Sequence, residues 1–196
     1  MTSMASSYPF GLEVDGPAPQ NRLSVLLRII FVIPHLIVVS VLGIVAYLIH
    51  FISWFAILFT GSYPAGMLNF QVNFMHWWLR ANGYMYLLTG KYPPFAMGSD
   101  GAYPVRFTGM GQVEGRNRLT TFWPIRAILA IPHIIVLYIL GIVANIVMLI
   151  SWIVALFTGS VPAGMHNFLA GYLRWSTREI AYILNLTDAY PPFSMN

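Results

Sequence analysis

From Ile29 to Leu79 the chain carries no Asp, Glu, Lys or Arg, and the same kind of run returns from Ala127 to Leu173. The first run is broken only by the small-residue turn Thr60-Gly61-Ser62-Tyr63-Pro64-Ala65-Gly66. A hydrocarbon core about 30 Å thick takes roughly 20 apolar residues per helix, so each run predicts two crossings and one tight turn. Composition argues against a water-soluble bundle. Only 8% of residues are charged and 58% are hydrophobic, against roughly 25% charged in a soluble domain.

The two runs are copies. At an offset of 98 residues, Pro34-His35 meets Pro132-His133, Leu42-Gly43-Ile44-Val45-Ala46 meets Leu140-Gly141-Ile142-Val143-Ala144, and Ile52-Ser53-Trp54 meets Ile150-Ser151-Trp152. Phe59-Thr60-Gly61-Ser62 meets Phe157-Thr158-Gly159-Ser160, and Tyr92-Pro93-Pro94-Phe95 meets Tyr190-Pro191-Pro192-Phe193. Upstream the register slips by two residues, Arg22-Leu23 matching Arg118-Leu119. The expected organisation is an N-terminal extended segment (1–20), a first repeat (21–97), a linker with a short strand (98–116) and a second repeat (117–196).

The pattern YP…NRL…R…IPH…G…FTGxxPAGM…R…YPPF resembles a family of small bacterial membrane proteins known only as a domain of unknown function. The resemblance spans both repeats. It implies an integral membrane placement and brings no activity, substrate or catalytic residue.

Along the chain, Tyr8–Asp15 and Tyr103–Thr108 alternate in the manner of half-buried strands. They are expected either to pair with each other outside the membrane or to lie as surface loops. Asn21–Ile33 and Asn117–Ile131 are expected as interfacial helices, with Pro34 and Pro132 opening or kinking a membrane helix that ends at Phe59 or Phe157. The polar N-terminus carries Glu13 and Asp15 and no basic run, so no cleaved signal peptide is expected. The fold class that follows is an all-α membrane protein: two tandem helical hairpins, four transmembrane helices, interfacial helices and short extra-membrane β segments. The hairpin tips near Ser62 and Ser160 are uncharged, whereas Arg22, Arg28, Lys91, Arg106, Arg116, Arg118 and Arg126 gather at the opposite end. The positive-inside rule then puts both termini in the cytoplasm. This makes a multi-pass protein of the bacterial cytoplasmic membrane, its repeats parallel about an axis along the membrane normal.

Polar residues of the second helix in each repeat form a stripe: Asn69, Asn73, His76 and Arg80 in the first, Asn167, Arg174 and Arg178 in the second. Steps of three and four place each set on one helix face, with Gly171 at the position that matches Asn73. Three uses are open. The stripes could satisfy partners inside the bundle, or face head groups from a helix lying in the interface. They could also meet and form a polar path or an anionic-ligand pocket, with Glu179 as counter-ion to the arginines. Arg22, Arg28, His35, Arg118, Arg126 and His133 are expected at lipid head groups. No cofactor is expected. Haem or bacteriochlorophyll ligation by a histidine has no support in the spacing, because His50, His76 and His166 align with Met148, Arg174 and Leu68. No metal site is expected, and there is no cysteine. No nucleophile, paired-acid or phosphate-loop motif appears.

The functional expectation is a non-enzymatic accessory or scaffold subunit of a larger membrane complex, respiratory or photosynthetic. Its partners would be anionic lipids and other membrane subunits or further copies of itself, not nucleic acid. The motifs Tyr92-Pro93-Pro94-Phe95 and Tyr190-Pro191-Pro192-Phe193 would dock partners. The alternatives are a small transporter or channel using the paired stripes, and a lipid-binding protein.

Overall fold

Two asparagines fix where the helical repeats begin. In the computed structural model, which describes residues 8–196, the Asn21 side chain accepts from the N–H groups of Leu23 and Ser24, and Asn117 does so for Leu119 and Thr120. These bonds satisfy first-turn donors that have no partner within the helix. Each cap opens a one-turn helix, α1 (Arg22–Leu26) and α4 (Arg118–Thr121), followed by a long apolar one, α2 (Arg28–Thr60) and α5 (Trp123–Thr158). The interfacial helices expected over Asn21–Ile33 and Asn117–Ile131 therefore shrink to a single turn. Pro34 and Pro132 lie inside continuous helices. A proline removes one donor and crowds the carbonyls one turn back. In both repeats a tyrosine hydroxyl donates at that place, Tyr92 to the Phe31 carbonyl (3.1 Å) and Tyr190 to that of Leu129 (3.0 Å).

The long helices stop at Gly61 and Gly159, whose φ values of 74° and 79° are left-handed and cost a glycine nothing sterically. Shorter helices follow, α3 (Ala65–Met85) and α6 (Ala163–Ile183). Strands β1 (Phe10–Val14) and β2 (Val105–Gly109) pair antiparallel, Phe10 opposite Gly109 and Val14 opposite Val105.

Among the described residues, two helices are long and apolar enough to cross a membrane, Arg28–Thr60 and Ile125–Thr158. Four spans are not supported. The helices α3 and α6 have the length, at 21 residues each, but they carry the polar stripes and bury most of their surface inside the protein.

The repeats are antiparallel, not parallel. Trp54, near the end of α2, donates to the Thr121 carbonyl just before α5 (2.8 Å), and Trp152, near the end of α5, donates to that of Val25 just before α2 (2.7 Å). The backbone repeats the exchange, Arg116 N–H to Gly61 (3.0 Å) and Gln20 N–H to Gly159 (2.8 Å). The end of each long helix thus abuts the start of the other. The charge pattern could not reveal this, because it assumed that every helix crosses.

The elements form three layers. One side of α3 meets α2, where Trp77 donates to His35 Nδ1 (3.0 Å) and Gln71 to the Ala46 carbonyl (2.6 Å). The roughly opposite side meets the β2 segment, with Gly83 against Val105 and Leu68 against Gly111. Symmetrically, α6 carries β1, Arg174 donating to the Leu12 carbonyl (3.0 Å). The order is sheet, then α3 and α6, then α2 and α5, with the outer faces of α2 and α5 uncovered. Their exposed residues include Ile37, Ile44, Phe51 and Phe59 in α2, and Ile135, Ile142, Leu149 and Phe157 in α5. Residues 28, 35, 39, 46, 53 and 57, on the inner side of α2, are buried.

A Cβ at Gly83 would stand 2.8 Å from Val105 Cγ2, whereas one at Gly66 would meet nothing within 4 Å. Gly83→Ala should therefore destabilise the protein by about 1–3 kcal/mol, and Gly66→Ala should be neutral or mildly stabilising. Thermal unfolding in detergent compares the two.

Candidate functional site

Two buried arginines hold the ends of the short helices. Arg28, only 2% exposed, donates to the carbonyls of Tyr84 (2.5 Å) and Thr89 (3.0 Å) and to Gln20 Oε1 (2.5 Å), and lies 4.3 Å above the Tyr84 ring. Arg126 repeats this with the carbonyls of Tyr182 and Thr187 (3.1 Å to the latter) and the ring of Tyr182 at 4.3 Å. Neither α3 nor α6 has a basic residue in its last turn, so a cation from the neighbouring helix meets the negative end of the dipole. The segments just beyond are tight: Leu87 and Asn185 both take left-handed φ, 58° and 59°.

The repeats differ in what completes the cluster. In the second, Asp188 accepts from Arg116 (2.8 and 3.1 Å), from Arg126 (2.9 Å) and from the Asn117 N–H (2.7 Å). In the first, the neutral Gln20 stands beside Arg28. Burial pushes the Asp188 carboxyl up, but the Arg116 and Asn117 hydrogen bonds and the two guanidinium charges prevail and hold it below its ordinary value.

Four of the six residues assigned to head groups are interior. Arg28, His35, Arg126 and His133 are buried, and only Arg22 and Arg118 are exposed. They lie beside the left-handed glycines of the opposite repeat, Arg22 at Gly159 and Arg118 at Gly61. The indole of Trp77 donates to His35 and that of Trp175 to His133 (2.9 Å). Phe95 stacks on His35 with centroids 4.0 Å apart, and Phe193 on His133 at 3.8 Å. A haem would have to displace these aromatic rings. Because the long helices are antiparallel, the two imidazoles also sit at opposite ends of the molecule. The YPPF motifs are thus engaged within their own repeats: Pro93 and Pro191 are buried, while the rings of Tyr92, Phe95, Tyr190 and Phe193 keep one side open.

The polar stripes serve the linker and C-terminus. Arg80 donates to the carbonyls of Ala96 and Gly98, and Arg178 to that of Ser194. His76 packs edge-on against Phe107, Asn73 lies near Gly98, Pro94 is half-buried with Pro192 exposed, and Asn69 and Asn167 are exposed. The stripes face the sheet and do not meet. Glu179 makes no ion pair with Arg178 among the described residues.

Sequence reasoning missed Gln20, Arg116 and Asp188 as interior groups. A usable signal existed, since Arg28 and Arg126 match at the 98-residue offset, seven residues before the matched histidines, and so share a helix face with them.

Asp188→Asn leaves two guanidinium groups without their anion and should cost about 3 kcal/mol, read by unfolding in detergent. The wild-type contribution is complete above the unfolded carboxyl's value near 3.9 and disappears as pH falls through the lower folded value; the variant should be flat across that window. Replacing both Tyr92 and Tyr190 by Phe should cost about 1 kcal/mol per site by removing the hydroxyls that serve the proline-interrupted turns.

No curated protein and no solved structure matches the chain. A family profile described as a domain of unknown function (DUF4389) matches twice, over residues 22–97 and 120–195. The arginine clamp, the His–Trp pair and the YPPF strap recur once in each matched segment, and the chain belongs to this family as a tandem repeat.

Proposed function

We propose that this protein is a non-enzymatic accessory subunit seated in one leaflet of the bacterial cytoplasmic membrane. On this proposal α2 and α5 lie in the membrane plane and the sheet projects into the cytoplasm. The observation that carries this is the level of the sheet. The β2 segment runs alongside α3 from Gly83 back to Leu68, about 22 Å of helix, so it stands beside the middle of α2. Were α2 upright in a bilayer, the sheet would sit at hydrocarbon depth with Glu13, Asp15 and Arg106 on its outer side. The side chains of these acids are more than half exposed, and an open two-stranded sheet leaves edge groups unpaired. Neither is tolerated in hydrocarbon. Laid flat, the same molecule presents isoleucines and phenylalanines to lipid and charges to water.

Residue 8 and the C-terminus both lie on the sheet side, where the Tyr8 hydroxyl donates to the Arg178 carbonyl, which supports termini that share one compartment. Transport is the weaker alternative, because Arg80, Arg174 and Arg178 already serve carbonyls of this chain. A lipid-binding role is compatible with the seat and forms part of it. The exposed sheet and linker are the surfaces left for protein partners.

The absence of cysteine permits single spin labels at Ile30, Ile37, Ile44, Phe51 and Phe59, all on the outer face. A shallow, uniform depth at the five positions is expected in bilayers. A profile that is deepest near Ile44 and shallow at both ends means that α2 crosses. A chain that stays in solution beside vesicles removes the membrane placement altogether.

A further inference from the structure

Glu179 is 7% exposed and, among the described residues, has neither an ion-pair nor a hydrogen-bond partner. Every other charged side chain buried to this degree, Arg28, Arg80, Arg116, Arg126 and Arg178, is spent on named carbonyls or on Asp188. Burial alone pushes the Glu179 carboxyl up to about 7. The same position in the first repeat is Ala81, so the repeat architecture does not need an acid there. A buried ionisable group without a partner is costly.

The residue lines a cleft of about 360 Å³ between α5 and the α3/α6 layer. Its lining carries four aromatic rings, Trp78, Tyr86, Tyr138 and Tyr172, beside aliphatic side chains and the polar Ser176 and Asn82. Tyr138 is 72% exposed and Ile134 is 46% exposed. Both belong to the uncovered side of α5, so the cleft opens toward the face that the proposed seat gives to lipid. One carboxyl set among electron-rich rings is the chemistry that receives an ammonium ion, the rings contributing cation–π attraction and the acid the counter-charge. The two arginines nearest in sequence, Arg174 and Arg178, are turned to the sheet side and hold Leu12 and Ser194, which leaves the charge of Glu179 for a ligand.

We infer that this cleft binds the ammonium head of an amphiphile, with Glu179 as counter-ion, the aromatic rings around the head and the tail lying along α5 toward the leaflet. The entry route rests on the single-leaflet seat, but the binding chemistry does not.

The test uses the full chain in maltoside micelles, where no bilayer orientation is needed. The probes are dodecylammonium and a short-chain phosphatidylethanolamine, with dodecyl sulfate as the anionic control, and bound probe is counted by native mass spectrometry. One cationic probe per chain is expected, at least tenfold weaker in Glu179→Gln and unchanged in Arg106→Gln on the far side of the sheet. Retention of the phosphatidylethanolamine identifies a lipid head group as the source; retention of the free amine alone identifies a soluble amphiphile. Tyr138→Leu, at an exposed position that folding does not need, should also weaken binding severalfold. Equal retention by wild type and Glu179→Gln, or dodecyl sulfate bound as well as the amines, overturns the inference. Success here together with a crossing depth profile for α2 would remove the seat and keep the site.

Discussion

Everything in this molecule turns on placing a guanidinium where a helix ends. Arg28 and Arg126 come from the long helices and close the carbonyl ends of α3 and α6, each from beneath a tyrosine ring. A short helix buried between layers has no water to satisfy its last carbonyls, and those groups cost free energy comparable to a lost hydrogen bond when unpaired. The arginine supplies several donors in one planar group and a charge that opposes the dipole. This fixes the antiparallel pairing of α2 with α3, and of α5 with α6. It also sets the level at which each YPPF segment turns back over its histidine.

Around these clamps the two repeats hold each other rather than standing side by side. Each gives its one-turn helix to the end of the other's long helix, and the shared sheet is built from the two segments that precede the repeats. Neither repeat encloses its own core, because α3 needs β2 and α6 needs β1, a strand drawn from before the first repeat. The sheet is small, yet the proposed seat in one leaflet rests on it. It lies alongside the helices, and its ion pairs between Arg106, Glu13 and Asp15 keep both acids more than half exposed.

The repeats share their motifs but not every residue, and some of the departures are informative. Gln20 stands where the second repeat has Arg116, and Gly90 where it has Asp188, so the first cluster is held by neutral acceptors and the second by an ion pair. Glu179 has alanine as its counterpart and serves no structural partner. Differences of this kind isolate what the shared fold does not require, which is where a site belonging to this chain alone can reside.

The sequence by itself determined the helical class, the tandem repeat and the apolar character of α2 and α5, and it left Tyr8–Asp15 and Tyr103–Thr108 open between paired strands and surface loops. The determined features are written in local periodicity, run length or direct self-similarity. It read the long apolar helices as crossing the bilayer, although a charge-free run of 26 residues satisfies a standing and a lying geometry alike. It misassigned Arg28, His35, Arg126 and His133 to head groups, since a basic residue near a helix start looks the same whether it meets water or a distant carbonyl. Only the tertiary structure settled that the repeats are antiparallel and that the polar stripes face the sheet. Those facts depend on contacts some 60 to 170 residues apart, such as Arg28 with Thr89 and Tyr8 with Arg178, and no local pattern encodes them.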